Sequence, residues 1–323
     1  MTPDQPAGAT QPAASTQPAA SSRPGRLTGP INSLGVVYRE DTPDVLAIIE
    51  RLRTWAADKH ITVEVETDAG RGPDASLDLK ANPVDLVVAL GGDGTFLRAS
   101  RLAVGTDIPV LGVNLGRLGF LTAIPESELE SGMDQVVAGE AHIEHRFRLH
   151  ACLETDGVMG DDDFYALNDV VIHTTGAARV TPLTLSIGGG PQGDAMEEVG
   201  SFAADGVIVS TPTGSTAYSM SAGGPIIVPE VEAIVVTPIC PHSLAVRPLV
   251  VPSHETLRVG SLDPDADHQL TVDGQVVHQV NPGQRVIVRR EERPLSLVRL
   301  PGQTFFKTMR KKLNWAARPP ERA

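Results

Sequence analysis

The feature that most constrains the fold is the apolar run from Val84 to Leu90. It stops abruptly at Gly91-Gly92-Asp93-Gly94-Thr95 and gives way to helical spacing from Phe96 to Val104. A strand so nearly continuous in apolar residues, broken only by Asp85, suits a buried parallel sheet rather than a half-wet antiparallel one. The preceding segments repeat the alternation. Leu34 to Tyr38 reads as a buried strand, and after Pro43 the residues Val45, Ile48, Ile49, Leu52, Trp55 and Ala56 fall at helical spacing. Ile61, Val63 and Val65 alternate with polar residues as a half-buried strand does, and Ile108 to Val113 reads as the next strand. The pattern predicts a doubly wound, parallel α/β domain over residues 31–140.

From Ala141 the texture changes. Strand-like runs are Ala141–Leu153, Asp163–His173, Val180–Ile187, Val199–Ser210, Ile234–Thr237, Leu257–Val259, Gln269–Val272 and Arg285–Arg289, separated by Gly, Pro and Asp clusters. This predicts an antiparallel, sandwich-like β domain over 141–302. Helical spacing returns from Gln303 to Arg318, within a terminal segment 303–323, and carries Lys307, Arg310, Lys311 and Lys312. That basic face reads most simply as a solvated helix face; docking against an acidic body is the sharper alternative. At the other end, 25 of the first 30 positions are Pro, Ala, Thr, Ser, Gly or Gln, a composition that predicts a disordered leader.

With 27 Lys+Arg against 40 Asp+Glu the net charge is −13, which disfavours nucleic acid and anionic membrane surfaces as partners. No apolar stretch approaches the roughly 20 residues of a membrane-spanning helix. Cys152 and Cys240 are the only cysteines, too few for a disulfide framework or a cysteine zinc site. A soluble, cytoplasmic protein is expected.

Three features carry chemistry. The Gly91–Thr95 turn sits where a buried strand meets a helix, the place where ligands collect in open α/β sheets. Glycines there let backbone amides approach a phosphate, and the helix N-terminus adds positive potential. The turn matches neither a Walker A loop nor a G-x-G-x-x-G fingerprint. Asp93 within it could accept a proton from a hydroxyl. A carboxylate is a weak base toward an alcohol, which suits late proton transfer alongside attack on a phosphoryl group. The second feature is the loop Thr211–Pro225, after Asp205-Gly206 and the strand Val207–Ser210, with six aliphatic hydroxyls among fifteen residues. Such a loop suits a ribose, an amide or a purine edge; a Ser/Thr-rich surface loop is the plainer alternative. The third is Asn168-Asp169, a pair able to bracket ribose hydroxyls and also ordinary turn chemistry.

Taken together with Asn114–Phe120, Thr237–Leu244, Arg247-Pro248 and Asp273-Gly274-Gln275, these elements stand in the order found in the NAD kinase family, which the chain resembles from about residue 34 to 316. The Thr211–Pro225 loop is the specific element; the GGDGT turn alone is shared with lipid kinases. The resemblance implies an α/β domain, a β-sandwich, and a C-terminal segment packing back on the first domain. It implies transfer of a phosphoryl group from ATP or polyphosphate to the adenosine 2′-hydroxyl of NAD, giving NADP, with a divalent cation such as magnesium. A homodimer or homotetramer is implied as well. On this basis Asp93 would accept the proton, with Gly94 beside the substrate. Arg98 would face the phosphates and Phe120 would line the adenine pocket. Asn168, Asp169 and Arg179 would contact NAD, and Asp205 would lie near the nicotinamide ribose, often reaching a neighbouring subunit's site. Thr216, Ala217, Tyr218, Ser219, Met220 and Ser221 would hold the adenine and nicotinamide portions, and Gln275 would close the pocket.

Two departures stand out: Ala203 occupies a position where many bacterial members carry Arg, and Ile187–Val199 is longer than the family's usual hairpin. A lipid kinase is disfavoured by the hydroxyl loop and the lack of a membrane-binding segment. A non-catalytic NAD(P)-binding regulator has no need of the base Asp93.

Overall fold

In the computed structural model, residues 25–27, 29–66, 77–117, 119–174, 181–189, 195–263 and 265–315 are described. They form β1 (Gly25–Arg26), β2 (Ser33–Tyr38), α1 (Val45–Asp58), β3 (Thr62–Val65), β4 (Leu86–Gly91) and α2 (Asp93–Leu102). β5 (Val110–Asn114), β6 (Ile124–Pro125), α3 (Leu129–Val137) and β7 (His142–Arg146) follow. Next come β8 (Leu149–Thr155), β9 (Val158–Ala166), β10 (Asp169–Thr174), β11 (Thr181–Gly188), β12 (Glu197–Ala204) and β13 (Gly206–Ser210). After the short α4 (Tyr218–Ser221) stand β14 (Ala233–Ile239), β15 (Leu249–Pro252), β16 (Thr256–Ser261), β17 (His268–Val272), β18 (Val276–Val280) and β19 (Arg285–Arg290). β20 (Leu295–Arg299) and α5 (Phe305–Leu313) complete the described chain.

Every residue of β4 is buried, as its unbroken apolar run requires. It lies inside a sheet of order β1-β7-β20-β5-β4-β2-β3, with β6 beside β5. The strands β20, β5, β4, β2 and β3 run parallel to one another, while β7 is antiparallel to β20. One face packs against α1 and α3 through Ile48, Leu52, Leu129 and Met133. The other packs against α2 through Phe96, Leu97 and Ala99. Both faces are therefore covered, the doubly wound arrangement that the alternation predicts.

Helix α2 begins at Asp93, three residues before its apolar spacing starts. Gly92 takes the N-cap position, and an acidic residue in the first turn is favoured by the partial positive charge there.

The remaining strands make two six-stranded antiparallel sheets, β15-β14-β13-β10-β17-β18 and β12-β11-β16-β19-β8-β9. Their inner faces meet through Val170, Ile172, Val207, Val209, Leu183 and Val288. This is the expected sandwich. Within the sandwich, two runs that read as single strands are broken by bends. Asp163–His173 divides at Leu167-Asn168 into β9 and β10, and Val199–Ser210 divides at Asp205 into β12 and β13. In each case the bend carries a candidate site residue.

The C-terminal segment returns to the first domain. β20 inserts between β5 and β7, and α5 follows it. Hydropathy alone did not separate β7 from β8, and β7 belongs to the first sheet. Gly25–Arg26, compositionally part of the leader, pair with Ile143 and His142 of β7, because strand pairing uses the backbone and needs no apolar side chain. Residues 1–24 and 28 of the expected leader and 316–318 of the expected final helix lie outside the described residues. Among the described residues no helix is long and apolar enough to cross a membrane.

Candidate active site at the carboxyl end of the central strands

Asp93 occupies the first turn of α2, directly beyond the carboxyl end of β4. Its Oδ2 accepts from the Phe120 amide at 2.9 Å and its Oδ1 from the Leu121 amide at 3.0 Å. Gly119 makes this grip possible, because a Cβ there would lie 2.0 Å from Asp93 Oδ1. From α5, Lys312 Nζ reaches to 3.5 Å of Asp93 Oδ2, and it stands 4.9 Å from the centroid of the Phe120 ring. Phe120 also lies against Phe305, with ring centroids 6.0 Å apart. The terminal helix therefore reaches the candidate site through Lys312 and Phe305, while Lys307, Arg310 and Lys311 of its basic face are exposed.

Behind this loop stands Arg299 of β20. Its guanidinium donates to the Phe120 carbonyl at 2.8 Å and the Leu121 carbonyl at 3.5 Å, and pairs with Glu144 at 3.4 Å. Burial lowers the Arg299 pKa, an effect that the Glu144 carboxylate opposes.

The β-sandwich approaches from the other side. Gln275, in the β17–β18 turn, donates through Nε2 to the Gly94 carbonyl at 2.9 Å and accepts at Oε1 from Arg101 at 2.6 Å. In the same turn Asp273 has φ of 50°, and its carboxylate accepts from the amides of Leu167 at 3.0 Å, Asn168 at 2.7 Å and Asp169 at 3.2 Å. One buried carboxylate thus shapes the Asn168-Asp169 bend. Burial raises the Asp273 pKa while those three amides oppose the shift. Asp169, 4% exposed, has its pKa pushed up to about 7 by burial first and by the neighbouring Asp273 second.

Several hydroxyls of the Thr211–Pro225 loop fasten it internally. Thr211 Oγ1 donates to the Leu167 carbonyl at 2.6 Å, Ser215 Oγ to that of Pro212 at 2.6 Å, and Ser219 Oγ sits 2.9 Å from Thr237 Oγ1. At Gly214 a Cβ would lie 2.1 Å from the Asn168 carbonyl oxygen, so glycine lets the loop lie directly on the bend. Thr216, Ala217 and Met220 are half-buried, Tyr218 and Ser221 are exposed, and Ser219 is buried. Tyr218 stacks on His173 with centroids 6.2 Å apart. The loop thereby runs from the Asn168 end of β10 and β13 toward their other end.

Asp205 stands at that other end, since Ser210 pairs with Asp169 while Gly206 pairs with His173. The five residues of β13 separate it from the Asn168 bend by on the order of 15 Å. The Asp205 side chain is 61% exposed, 3.8 Å from His242 Nε2. Contacts within the chain thus connect Asp93, Gly94, Phe120, Asn168, Asp169 and Gln275, and leave Asp205 apart. Arg98 donates to Glu66 Oε2 at 2.6 Å and to the Tyr38 carbonyl at 2.5 Å. Arg179 lies outside the described residues.

Neither Arg299, Asp273 nor Lys312 stands out as a site residue in the sequence. Asp273 lies inside a quoted motif, which was a usable signal; the other two come from the returning segment, whose place is visible only in three dimensions.

Two family models match the chain: the ATP-NAD kinase N-terminal domain over residues 34–141 and the ATP-NAD kinase C-terminal domain over 167–300. The chain belongs to the NAD kinase family. It is 39% identical over 285 residues to the NAD kinase of Heliobacterium modesticaldum, covering 87% of this chain and 98% of that one. It is 46% identical over 237 residues to the NAD kinase of Gemmatimonas aurantiaca, covering 72% and 78%. Among solved structures it resembles yeast NADH kinase complexed with NADH, with a TM-score of 0.78, 27% identity, and 94% and 95% of the two chains covered. An Archaeoglobus fulgidus NAD kinase in complex with ATP superposes with a TM-score of 0.67 at 26% identity, covering 87% and 98%. The chain is therefore an NAD kinase family enzyme, and its reaction is phosphorylation of NAD to NADP. The lipid-kinase and regulator readings fall with that result.

Proposed function

We propose that Asp93 accepts the proton of the adenosine 2′-hydroxyl of NAD as that oxygen attacks the terminal phosphorus of ATP. The new P–O bond forms on the 2′-oxygen, the bond to the ADP leaving group breaks, and the proton resides on Asp93. The observation that carries this reading is the fixing of the Asp93 carboxylate by two backbone amides at the head of α2, where a reacting hydroxyl and a phosphoryl group can both be met. Phosphoryl transfer asks mainly for positioning and charge neutralisation, so a held but weakly basic carboxylate suffices.

Gly94, Gln275 and Asn168 then bound the adenosine end, and Phe120 offers its ring to adenine. The loop Thr216–Ser221, lying along β13, supports the rest of an extended dinucleotide. Asp169, with its pKa near neutrality, supports Asn168 from within rather than meeting substrate. Its burial and its shared position against Asp273 favour that role. Asp205, exposed and distant from Asp93, suits a role at a neighbouring subunit's site in a homodimer or homotetramer. Two unpaired cysteines fit a reducing, cytoplasmic compartment.

Among the described residues no group of three or more His, Cys, Asp or Glu could cage a metal ion. The residues present fit magnesium held chiefly by substrate phosphates, with Asp93 as the nearby carboxylate, because Mg²⁺ in kinases commonly takes one or two carboxylates and keeps several waters. Bound there, it would neutralise developing phosphate charge.

The test is NADP formation by purified protein from NAD, ATP and magnesium, run beside polyphosphate as donor. Turnover is expected with at least one donor. Folded protein inactive with both, across common divalent metals, overturns the reading.

A further inference from the structure

A cavity of about 330 Å³ lies between the carboxyl end of β5 and the terminal helix α5. Its wall includes Asn114, Thr122, Arg299, Gln303, Lys307 and Lys311, with Glu128 as the one acidic side chain. Three properties mark it as a binding site rather than a packing gap.

The first is charge. Lys307 and Lys311 lie one helical turn apart on α5, and Lys307 Nζ donates to a neutral acceptor, the Gly302 carbonyl, at 3.3 Å. That contact leaves its charge unneutralised. Arg299 adds a third cation behind them, already paired with Glu144. A positive pocket on a chain of net charge −13 attracts an anion locally where the whole surface does not.

The second is unmet hydrogen bonding. The Thr122 hydroxyl and Asn114 Oδ1 are buried with no partner, although Asn114 Nδ2 donates to the Gly116 carbonyl at 2.9 Å. Buried polar atoms are ordinarily satisfied, and each exception calls for an explanation. On this cavity wall the Thr122 hydroxyl can donate to an anion, and the Asn114 amide oxygen can accept only from water that accompanies it.

The third is position. The backbone at Gly119 lies against both Asp93 and Thr122: a Cβ there would be 2.0 Å from Asp93 Oδ1 and 2.9 Å from Thr122 Oγ1. The cavity wall therefore adjoins the base, and it lies at the carboxyl ends of the parallel strands.

We infer that this cavity holds the oligophosphate chain of the phosphoryl donor, with Lys307, Lys311 and the Thr122 hydroxyl as its ligands, so that α5 is part of the donor site. The inference rests on the phosphotransferase reading of Asp93. The shared chemistry is a linear chain of phosphates, which a nucleoside triphosphate and inorganic polyphosphate both supply.

The test uses the full chain. Binding of inorganic tripolyphosphate is measured by calorimetry, and KM for ATP and for polyphosphate by NADP formation, in the parent, in the double variant Lys307→Ala/Lys311→Ala, and in Thr122→Val. The double variant should bind tripolyphosphate at least tenfold more weakly. KM should rise by a similar factor for whichever donor the parent uses, a rise with ATP alone or polyphosphate alone identifying the source. The affinity for NAD should stay within twofold. Thr122→Val separates ligand binding from folding. Removing a hydroxyl without a partner should leave Tm unchanged or higher while tripolyphosphate binding weakens several-fold. Unchanged tripolyphosphate binding and donor KM in the double variant overturn the inference while leaving the NAD kinase reading intact. An inactive parent overturns that reading instead.

Discussion

Asp93 and Arg299 hold the same two residues, Phe120 and Leu121, through opposite backbone groups. The amides of Phe120 and Leu121 point to the Asp93 carboxylate, while the carbonyls of the same residues accept from the Arg299 guanidinium. A residue 206 positions downstream of Asp93, on the strand that returns to the first sheet, therefore fixes the loop that orients the proposed base. A guanidinium presents several donors in a rigid fork, which a lysine ammonium cannot reproduce.

Arg299→Lys keeps the buried charge opposite Glu144 and loses the fork. The expected result is a fall in kcat of roughly 10–100-fold, since small displacements of a reacting group cost about that much. KM for NAD should change far less. Steady-state kinetics check this, and a loss confined to KM would contradict the positioning role.

Asp169 makes stability depend on pH in a definite direction. Its folded-state pKa of about 7 lies above the ordinary carboxylate value of 3.8, so the folded chain retains a proton that the unfolded chain has released. The contribution of the neutral, buried carboxyl is fully present below the unfolded pKa and is lost as pH rises through the folded one. Asp169→Asn does not titrate. Relative to the parent it should gain on the order of 2–3 kcal/mol of unfolding free energy between pH 5 and pH 8, at about 1.4 kcal/mol per pH unit within the window. Denaturant unfolding at the two pH values reads this directly, and parallel pH profiles would refute it.

At Gly214 the constraint is space. An alanine Cβ would meet the Asn168 carbonyl oxygen at 2.1 Å, and backbone can yield only by moving the bend. Gly214→Ala should destabilise by about 1–3 kcal/mol, the usual range for overpacking, and weaken NAD binding through the displaced Asn168. Thermal unfolding and NAD titration together check both halves.

Much of this organisation was legible in the chain itself. The apolar run ending in GGDGT placed β4, the turn and the start of a helix in the right order, because a fully buried parallel strand imposes an unmistakable pattern. Strong turn residues likewise marked the change to a β-sandwich. Legibility failed where distant segments complete a local structure. β20 is a short apolar stretch resembling several others, and nothing local says that it inserts between β5 and β7. Arg299 and Lys312 were hidden for that reason. The hydroxyl-rich loop was recognisable as a site element, yet the division of labour within it was not. Whether Ser219 faces a ligand or Thr237 depends on how the loop folds over β13 and β14.

The central claim is that Asp93 removes the proton from the acceptor hydroxyl. Asp93→Asn preserves size and one acceptor oxygen while removing the charge. The decisive measurement is its kcat for NADP formation together with its equilibrium affinity for NAD. A loss in kcat of about 100-fold or more is expected, the usual scale for removing a general base, with NAD affinity within a few-fold of the parent. Turnover at the parent's rate would contradict it.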